Sequence, residues 1–196
     1  MSVAALTSDK ASVGFYGKLP TRGDFLRVGL PRRFIEPWDE WLQRVLPASR
    51  VALGDDWLAC WLEAPVWRFA LAAGLCGPDA VQGVWMPSVD SVGRYFPLTL
   101  ACVGGDAALA ARFLAVAERA GIEAIAMSLE PDAVTARIVA TADAMAAPLP
   151  AFPDRGSLWW TDGAPRRGPL SLTLPGLPDM VAFTAMLTEA QTGEKS

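Results

Sequence analysis

Three apolar runs follow one another closely in the middle of the chain, at Val66–Leu71, Val81–Met86 and Tyr95–Val103. Each has the length and the apolar content of a buried strand. The connections between them are too short to hold crossover helices, so the three runs are expected to pair as an antiparallel meander. Two shorter strands are predicted upstream, at Val13–Tyr16 and Asp24–Arg27.

Between these strands, the segment from Phe34 to Leu46 places apolar residues at steps of three and four, which is typical of a helix with one broad buried face. Pro37 lacks the amide donor that an interior helical position needs, so the regular helix is predicted to begin near Glu36, after a looser turn over residues 31–35. A short helix is predicted over Asp55–Leu62, before Pro65.

The second half of the chain is rich in alanine and predicts two more helices. One is capped by Asp106 and stops at Gly121. The other is capped by Asp132 and faces inward with Val134, Ile138 and Met145. The segment 122–129 between them is ambiguous. The last quarter of the chain is rich in prolines, which separate short elements. Ser157–Thr161 and Leu170–Leu174 are predicted as strands and Asp179–Leu187 as a final helix.

The pattern as a whole predicts one α/β domain. A mainly antiparallel central sheet is flanked by helices as a sandwich, in the order β-β-α-β-β-β-α-α followed by a C-terminal β-α extension. Residues 13–190 are expected to form this single domain, with a disordered N-terminus over residues 1–12 and a flexible tail over residues 191–196.

Composition narrows the class of protein. The chain has 196 residues, 52% hydrophobic, and a net charge of −4. The longest apolar stretch has eight residues, Phe69–Cys76, against about 18 or more for a membrane helix. The first ten residues lack an export pattern, so a cytoplasmic protein is expected. The acidic balance argues against nucleic acid as a partner.

Missing residues and motifs exclude several kinds of chemistry. The chain has no histidine, which rules out a Ser-His-Asp triad and imidazole metal ligands. Neither of the common glycine-rich phosphate-binding motifs occurs, so no nucleotide cofactor is expected. Cys60, Cys76 and Cys102 are three widely spaced residues in apolar surroundings. They are expected to be buried reduced thiols, not a zinc site or a disulfide framework.

A basic island interrupts this acidic chain. Its members are Lys18, Arg22, Arg27, Arg32 and Arg33, against the single acid Asp24. These charges could simply face solvent, or they could bind an acidic or phosphorylated partner.

A second charged motif, Asp90 and Arg94, lies among bulky apolar residues. If the turn Ser88–Gly93 folds over the turn Pro20–Gly23, opposite charges from the two segments could pair. Such pairs would lock the loops together, or they would form a recognition surface. Acid–base hydrolysis by Asp24 and Asp90 is not supported, because nearby arginines would keep both carboxylates ionised.

The chain has eight tryptophans. Trp38, Trp41 and Trp67 fall on inward faces and are predicted to lie in the core. Trp159 and Trp160 are adjacent on a predicted strand, so one of them should point outward, where it could contact a partner.

Three stretches carry a resemblance to a known family: GFYGKLPTRGDFLRVGLPRRFIEPWDEWLQ from Gly14, APVWRFALAAGLCG from Ala64 and GVWMPSVDSVGRYFPLTLA from Gly83. They resemble the TagF family, also called ImpM, of proteins associated with the bacterial type VI secretion system. The positions that match the family motifs, as fold-defining residues with candidate use in partner binding, include Lys18, Arg22, Asp24, Trp67, Arg68, Ser88, Asp90 and Arg94.

The resemblance implies a non-enzymatic cytoplasmic regulator, a post-translational repressor of type VI secretion assembly or firing. It would act by binding a scaffold protein of the system that carries a forkhead-associated domain, without a cofactor and without insertion into a membrane. Two alternatives remain open. One is an enzyme or sensor that binds a phosphorylated or anionic small molecule through the arginine-rich loops, and the other is a structural subunit of the apparatus.

Overall fold

A seven-stranded antiparallel sheet runs through the centre of the computed structural model, which describes residues 11–139, 152–164 and 168–188. The spatial order of the strands is β2-β1-β5-β4-β3-β6-β7, and every neighbouring pair is antiparallel. The predicted meander is confirmed as β3-β4-β5. The strands are β1 Ser12–Gly17, β2 Leu26–Val28, β3 Trp67–Leu71, β4 Val81–Met86, β5 Leu98–Val103, β6 Ser157–Thr161 and β7 Leu170–Leu174.

Helices cover both faces of this sheet, as the predicted sandwich requires. They are α1 Arg32–Leu53, α2 Trp57–Glu63, α3 Ala107–Ala126, α4 Pro131–Val139 and α5 Met180–Leu187. Helices α1, α2 and α5 share one core cluster with the sheet, and α3 and α4 share another cluster on the opposite face. The predicted α/β class and element order are therefore confirmed.

The face covered by α1, α2 and α5 is dominated by aromatic rings. Trp38, Trp41 and Trp67 are buried there, as predicted. Trp159 stacks on Trp38 at 6.0 Å between ring centroids. One of the neighbours Trp159 and Trp160 was predicted to point outward; Trp160 does lie on the other face, but it is half-buried there against the second cluster. Large rings of this kind supply much of the buried area of a core.

Helix α1 begins four residues earlier than predicted. The carbonyl of Pro31 accepts hydrogen bonds from the amides of Phe34 and Ile35 at 3.0 and 3.1 Å, so the first turn is regular and starts at Arg32. Pro37 lies inside the helix. The single backbone hydrogen bond that this proline removes costs less than the buried apolar face of a 22-residue helix contributes.

Helix α3 continues past the predicted stop at Gly121 and ends at Ala126, which places most of the ambiguous segment in a helix. Gly121 serves packing here, because a Cβ atom at this position would lie 2.5 Å from Cε of Met86. Helix α4 begins at Pro131, so Asp132 lies in its first turn and is not its cap.

Strands β1 and β3 differ from the prediction by one residue at one or both ends, and β5 and β2 differ by more. Strand β5 begins at Leu98, because Tyr95 instead forms an isolated bridge with Val89. Strand β2 is Leu26–Val28, shifted from Asp24–Arg27. The disordered N-terminus was predicted over residues 1–12, but Ala11 is buried and Ser12 begins β1. The rest of that prediction, residues 1–10, and the predictions for Met145 and residues 191–196 fall outside the described part of the chain.

Cys76 and Cys102 are buried free thiols, as predicted, and burial raises the pKa of each to about 12. Cys60 is half-buried. Among the described residues, no group of three or more cysteine, aspartate or glutamate side chains is placed to hold a metal ion. No helix in this part of the chain combines the length and the apolar character needed to cross a bilayer.

Candidate functional site

The sheet brings two loops to the same edge of the molecule. The first loop, residues 18–25, leaves β1, and the second loop, residues 87–97, joins β4 to β5. In the strand register Leu98 pairs with Gly17 on one side and with Met86 on the other. Gly17 has a φ of +128°, and a Cβ atom there would lie 2.0 Å from the carbonyl oxygen of Pro97. Only glycine allows the two loops to start this close together.

A buried ion pair joins the two loops. Nζ of Lys18 lies 2.5 Å from Oδ2 of Asp90, and the two side chains are only 4% and 0% exposed. Nε of Arg94 lies 2.6 Å from the same oxygen, with its side chain 61% exposed. The amides of Val92 and Arg94 donate to Oδ1 of Asp90 at 3.0 and 2.8 Å. Four donors therefore surround this one carboxylate.

These contacts fix the charge of Asp90. Burial by itself would raise its pKa, but the hydrogen bond from Lys18 and those from Arg94 and the Val92 amide together hold the pKa well below its usual range. Asp90 is consequently ionised at neutral pH and has no proton to give. The carboxylate fits a structural anion, not a general acid.

Two further hydrogen bonds connect the loops directly. Oγ of the buried Ser88 donates to the carbonyl of Lys18 at 2.8 Å, and the Arg94 guanidinium donates to the carbonyl of Gly23. The proposed convergence of the two motif segments is thus confirmed. The two loops form one surface, which we call the loop platform.

Arg22 links the loop platform to a third segment. Its carbonyl accepts from the amide of Ser91 at 3.1 Å, and its guanidinium lies 2.6 Å from Oε2 of Glu130 at the start of α4. Beside it, the Thr21 hydroxyl donates to the carbonyl of Leu129 at 3.0 Å. The sequence held no local signal for this contact, because Glu130 lies more than 100 residues away along the chain.

The charge pairing therefore differs from one part of the prediction. Asp90 does receive a cation from the first loop, but this cation is Lys18 and not Arg22. Asp24 is exposed, and no described residue forms an ion pair with it. Lys18 directly follows Gly17, which pairs with Leu98 at the end of the second loop, and this register brings the Lys18 ammonium to Asp90.

A half-exposed aromatic ring stands on this platform. The side chain of Phe25 is 47% exposed, and its ring meets that of Phe96 edge-on at 4.7 Å. Nζ of Lys18 lies 4.7 Å from the centroid of the Phe25 ring. The ring of Tyr16 stacks on that of Phe25, with 6.3 Å between the two centroids. Val92 of the second loop is 68% exposed. The charges of this surface were predicted from the sequence, whereas Phe25 was not among the candidate residues.

Trp67 and Arg68 lie elsewhere in the molecule. Nε1 of Trp67 donates to the carbonyl of Met186 at 3.2 Å inside the core. The Arg68 guanidinium lies 2.7 Å from both Glu118 of α3 and Asp162, which follows β6. Both side chains tie β3 to neighbouring elements, and neither is part of the loop platform.

Each cation of the basic island already has its own anionic or aromatic partner. The pairs are Lys18 with Asp90, Arg22 with Glu130, Arg27 with the Tyr16 ring, Arg32 with Glu36 and Arg33 with Asp79.

Comparisons with known proteins fit this architecture. A comparison with curated proteins finds no match. The crystal structure of PA0076 from Pseudomonas aeruginosa PAO1 matches 90% of this chain and 94% of its own at 37% sequence identity, with a TM-score of 0.73. A family described as the TagF N-terminal domain, type VI secretion system-associated, matches residues 14–144, which include both loops of the platform. The chain belongs to this TagF family of type VI secretion system-associated proteins.

Proposed function

We propose that this chain is a non-enzymatic regulator that represses type VI secretion after translation. It acts in the bacterial cytoplasm by binding a scaffold protein of the system that carries a forkhead-associated domain. The contact is made by the loop platform. The main observation in support is the half-exposed Phe25 ring, which lies on two loops held together by an ion pair and hydrogen bonds in a chain of the TagF family.

Pre-organisation supports a binding role for the loop platform. The buried Lys18–Asp90 pair and the hydrogen bond from Ser88 to the Lys18 carbonyl hold both loops in one arrangement before any partner arrives. A surface that is already ordered loses less conformational entropy on association. Rigid loops are therefore suited to a specific contact.

The composition of the platform also supports a protein partner. Phe25 and Val92 are exposed apolar side chains, while Arg22 and Arg94 place half-exposed charges beside them. An aromatic anchor with a polar rim is typical of protein–protein hot spots. The separate pairing of the island's cations gives less support to the alternative of an anionic small molecule.

The test is a binding titration of the purified scaffold with three forms of this chain: unchanged, Phe25→Ala and Leu62→Ala. Leu62 is a matched apolar control, 65% exposed on α2. Phe25→Ala is expected to weaken binding by about tenfold or more, as for a hot-spot aromatic, while Leu62→Ala changes it little. Overproduction of the unchanged chain in cells should lower the amount of secreted effector, and overproduction of Phe25→Ala should not.

Binding measured at several salt concentrations distinguishes the contribution of the charged rim from that of the Phe25 ring. Arg22→Ala is expected to slow association and to reduce its dependence on salt, because rim charges act through long-range attraction. Arg44→Ala, an exposed arginine of α1, is the control. Absence of scaffold binding, or equal binding by the Phe25→Ala form, would refute this role of the platform. Turnover of a small anionic substrate would instead favour the enzyme alternative.

A further inference from the structure

The two edges of the sheet differ sharply in how they are protected. Strand β2 forms one edge, has three residues and carries the exposed Arg27 at its centre. Strand β7 forms the other edge, has five residues and carries no charge. Natural proteins protect edge strands with short length and charged side chains, as at β2. Among the described residues no strand pairs with the outer side of β7, so its backbone groups there are open to a further strand.

The side chains of β7 alternate strictly. Leu170, Leu172 and Leu174 are half-buried and pack at the margin of the aromatic core cluster. Ser171 and Thr173 between them are exposed on the opposite face. A strand added outside β7 would extend the sheet and cover the leucine row further, which supplies an apolar driving force besides the backbone hydrogen bonds.

The sequence of β7 is complementary to itself. In an antiparallel pair of two β7 strands related by a two-fold axis at Leu172, Leu170 of one copy lies opposite Leu174 of the other. Ser171 of each copy then lies opposite Thr173 of its partner. Apolar residues thus meet apolar residues and hydroxyls meet hydroxyls, which are favourable cross-strand pairs. The symmetry of such a contact is that of the commonest homodimers.

The ends of the strand fix its register. Pro169 and Pro175 flank β7 directly, and proline has no amide to donate to a ladder. Pairing is therefore confined to the five residues between them. A shift by one residue would place leucines opposite hydroxyl side chains, and a shift by two would leave only three residues of each copy paired, so one register is strongly preferred.

We infer that β7 is a self-association surface, on which a second copy of this chain pairs its own β7 antiparallel about Leu172 to form a continuous fourteen-stranded sheet. A contact made by five residues per copy is smaller than a standard stable interface, so the dimer forms weakly and depends on concentration. This inference is independent of the function proposed for the loop platform.

The test is sedimentation velocity of the whole chain over a concentration series up to about 1 mM, the range in which a weak dimer is populated. The unchanged chain is expected to form a dimer as concentration rises. Ser171→Lys with Thr173→Lys in one chain places lysine opposite lysine at two positions, and should raise the dissociation constant about tenfold. Val51→Lys with Leu62→Lys adds the same charges at exposed positions elsewhere and should leave the dimer intact.

A charge swap makes the test specific for this register. Ser171→Lys with Thr173→Glu places lysine opposite glutamate across the axis, and should retain the dimer. The double-lysine chain mixed with a chain carrying Ser171→Glu and Thr173→Glu should form a mixed dimer. Circular dichroism confirms that every variant is folded. A monomer at all concentrations overturns the inference, as does a dimer that the double-lysine change leaves intact or that the charge swap fails to retain.

Discussion

At the scale of single residues, Asp90 carries a full negative charge at a position that solvent does not reach. A buried ion pair often stabilises a fold no more than a well-packed apolar pair would, because both charges lose their hydration. Removal of only one partner is different, since it leaves the other charge buried and alone. Asp90 therefore stabilises the fold mainly by neutralising the buried charge of Lys18 and by holding both loops in one arrangement.

Asp90→Asn is expected to lower the free energy of unfolding by about 3 kcal/mol, because Lys18 stays buried without a counter-charge. Glu36→Gln, which breaks the exposed pair with Arg32, should cost less than about 0.5 kcal/mol and serves as the control. Urea unfolding measures both. Asp90→Asn combined with Lys18→Met should be less damaging than the two single losses added together, and simple additivity would contradict the coupling.

The depressed pKa of Asp90 predicts a specific pH dependence. Because the folded pKa lies below the unfolded value of about 4, the folded state holds the carboxylate ionised more strongly. Its contribution is fully present above pH 4 and is lost as pH falls toward the folded pKa. Urea unfolding between pH 6 and pH 2.5 should show the stability of the unchanged chain converging on that of Asp90→Asn. A gap that stays constant with pH would show that another group is responsible.

At the scale of elements, local signals predicted the elements whose ends are set by their own residues. Asp106 accepts from the amide of Leu109 at 2.7 Å, and Asp179 accepts from that of Ala182 at 2.8 Å, as N-cap residues should. Gly121 misled the prediction, because its role depends on Met86 of the distant strand β4. Glycine ends a helix or admits a close neighbour, and sequence alone does not distinguish the two.

Gly17 offers a test of how closely β1 approaches the second loop. Gly17→Ala is expected to cost more than about 2 kcal/mol, because it combines a left-handed φ of +128° with a Cβ atom 2.0 Å from the Pro97 carbonyl oxygen. Gly74→Ala has a similar φ of +92° with no atom within 4 Å, and isolates the backbone strain. Thermal unfolding compares them. Equal losses of stability in the two variants would show that the close approach of Gly17 to Pro97 does not contribute to the cost.

At the scale of the whole molecule, the class and the order of elements could be predicted, because the spacing of apolar residues, the turn residues and the short connections are local properties. The convergence of the two loops was a hypothesis that rested on their opposite charges, and the sheet topology realises it. Which side chain meets Asp90 could not be predicted. Lys18 lies 72 residues away from it, and Glu130 lies farther still from Arg22. Several cations in the basic island had the right charge, and only the register of β1 against β5 selects Lys18. The use of the platform for binding stays a prediction.

The family match ends at residue 144. We predict that the part of the chain it covers does not fold by itself, because the C-terminal elements complete the sheet and the core. Strand β6 extends the sheet beyond β3, the Trp41 indole donates to the carbonyl of Pro178 at 2.7 Å, and Phe183 of α5 is fully buried. A chain cut after residue 144 would expose the aromatic face of the sheet. It should lack the near-ultraviolet circular dichroism of fixed tryptophans and unfold without a cooperative transition, unlike the full chain measured in parallel. A cooperative transition in the shortened chain would show that residues 14–144 are a domain by themselves, with β6, β7 and α5 an addition to it.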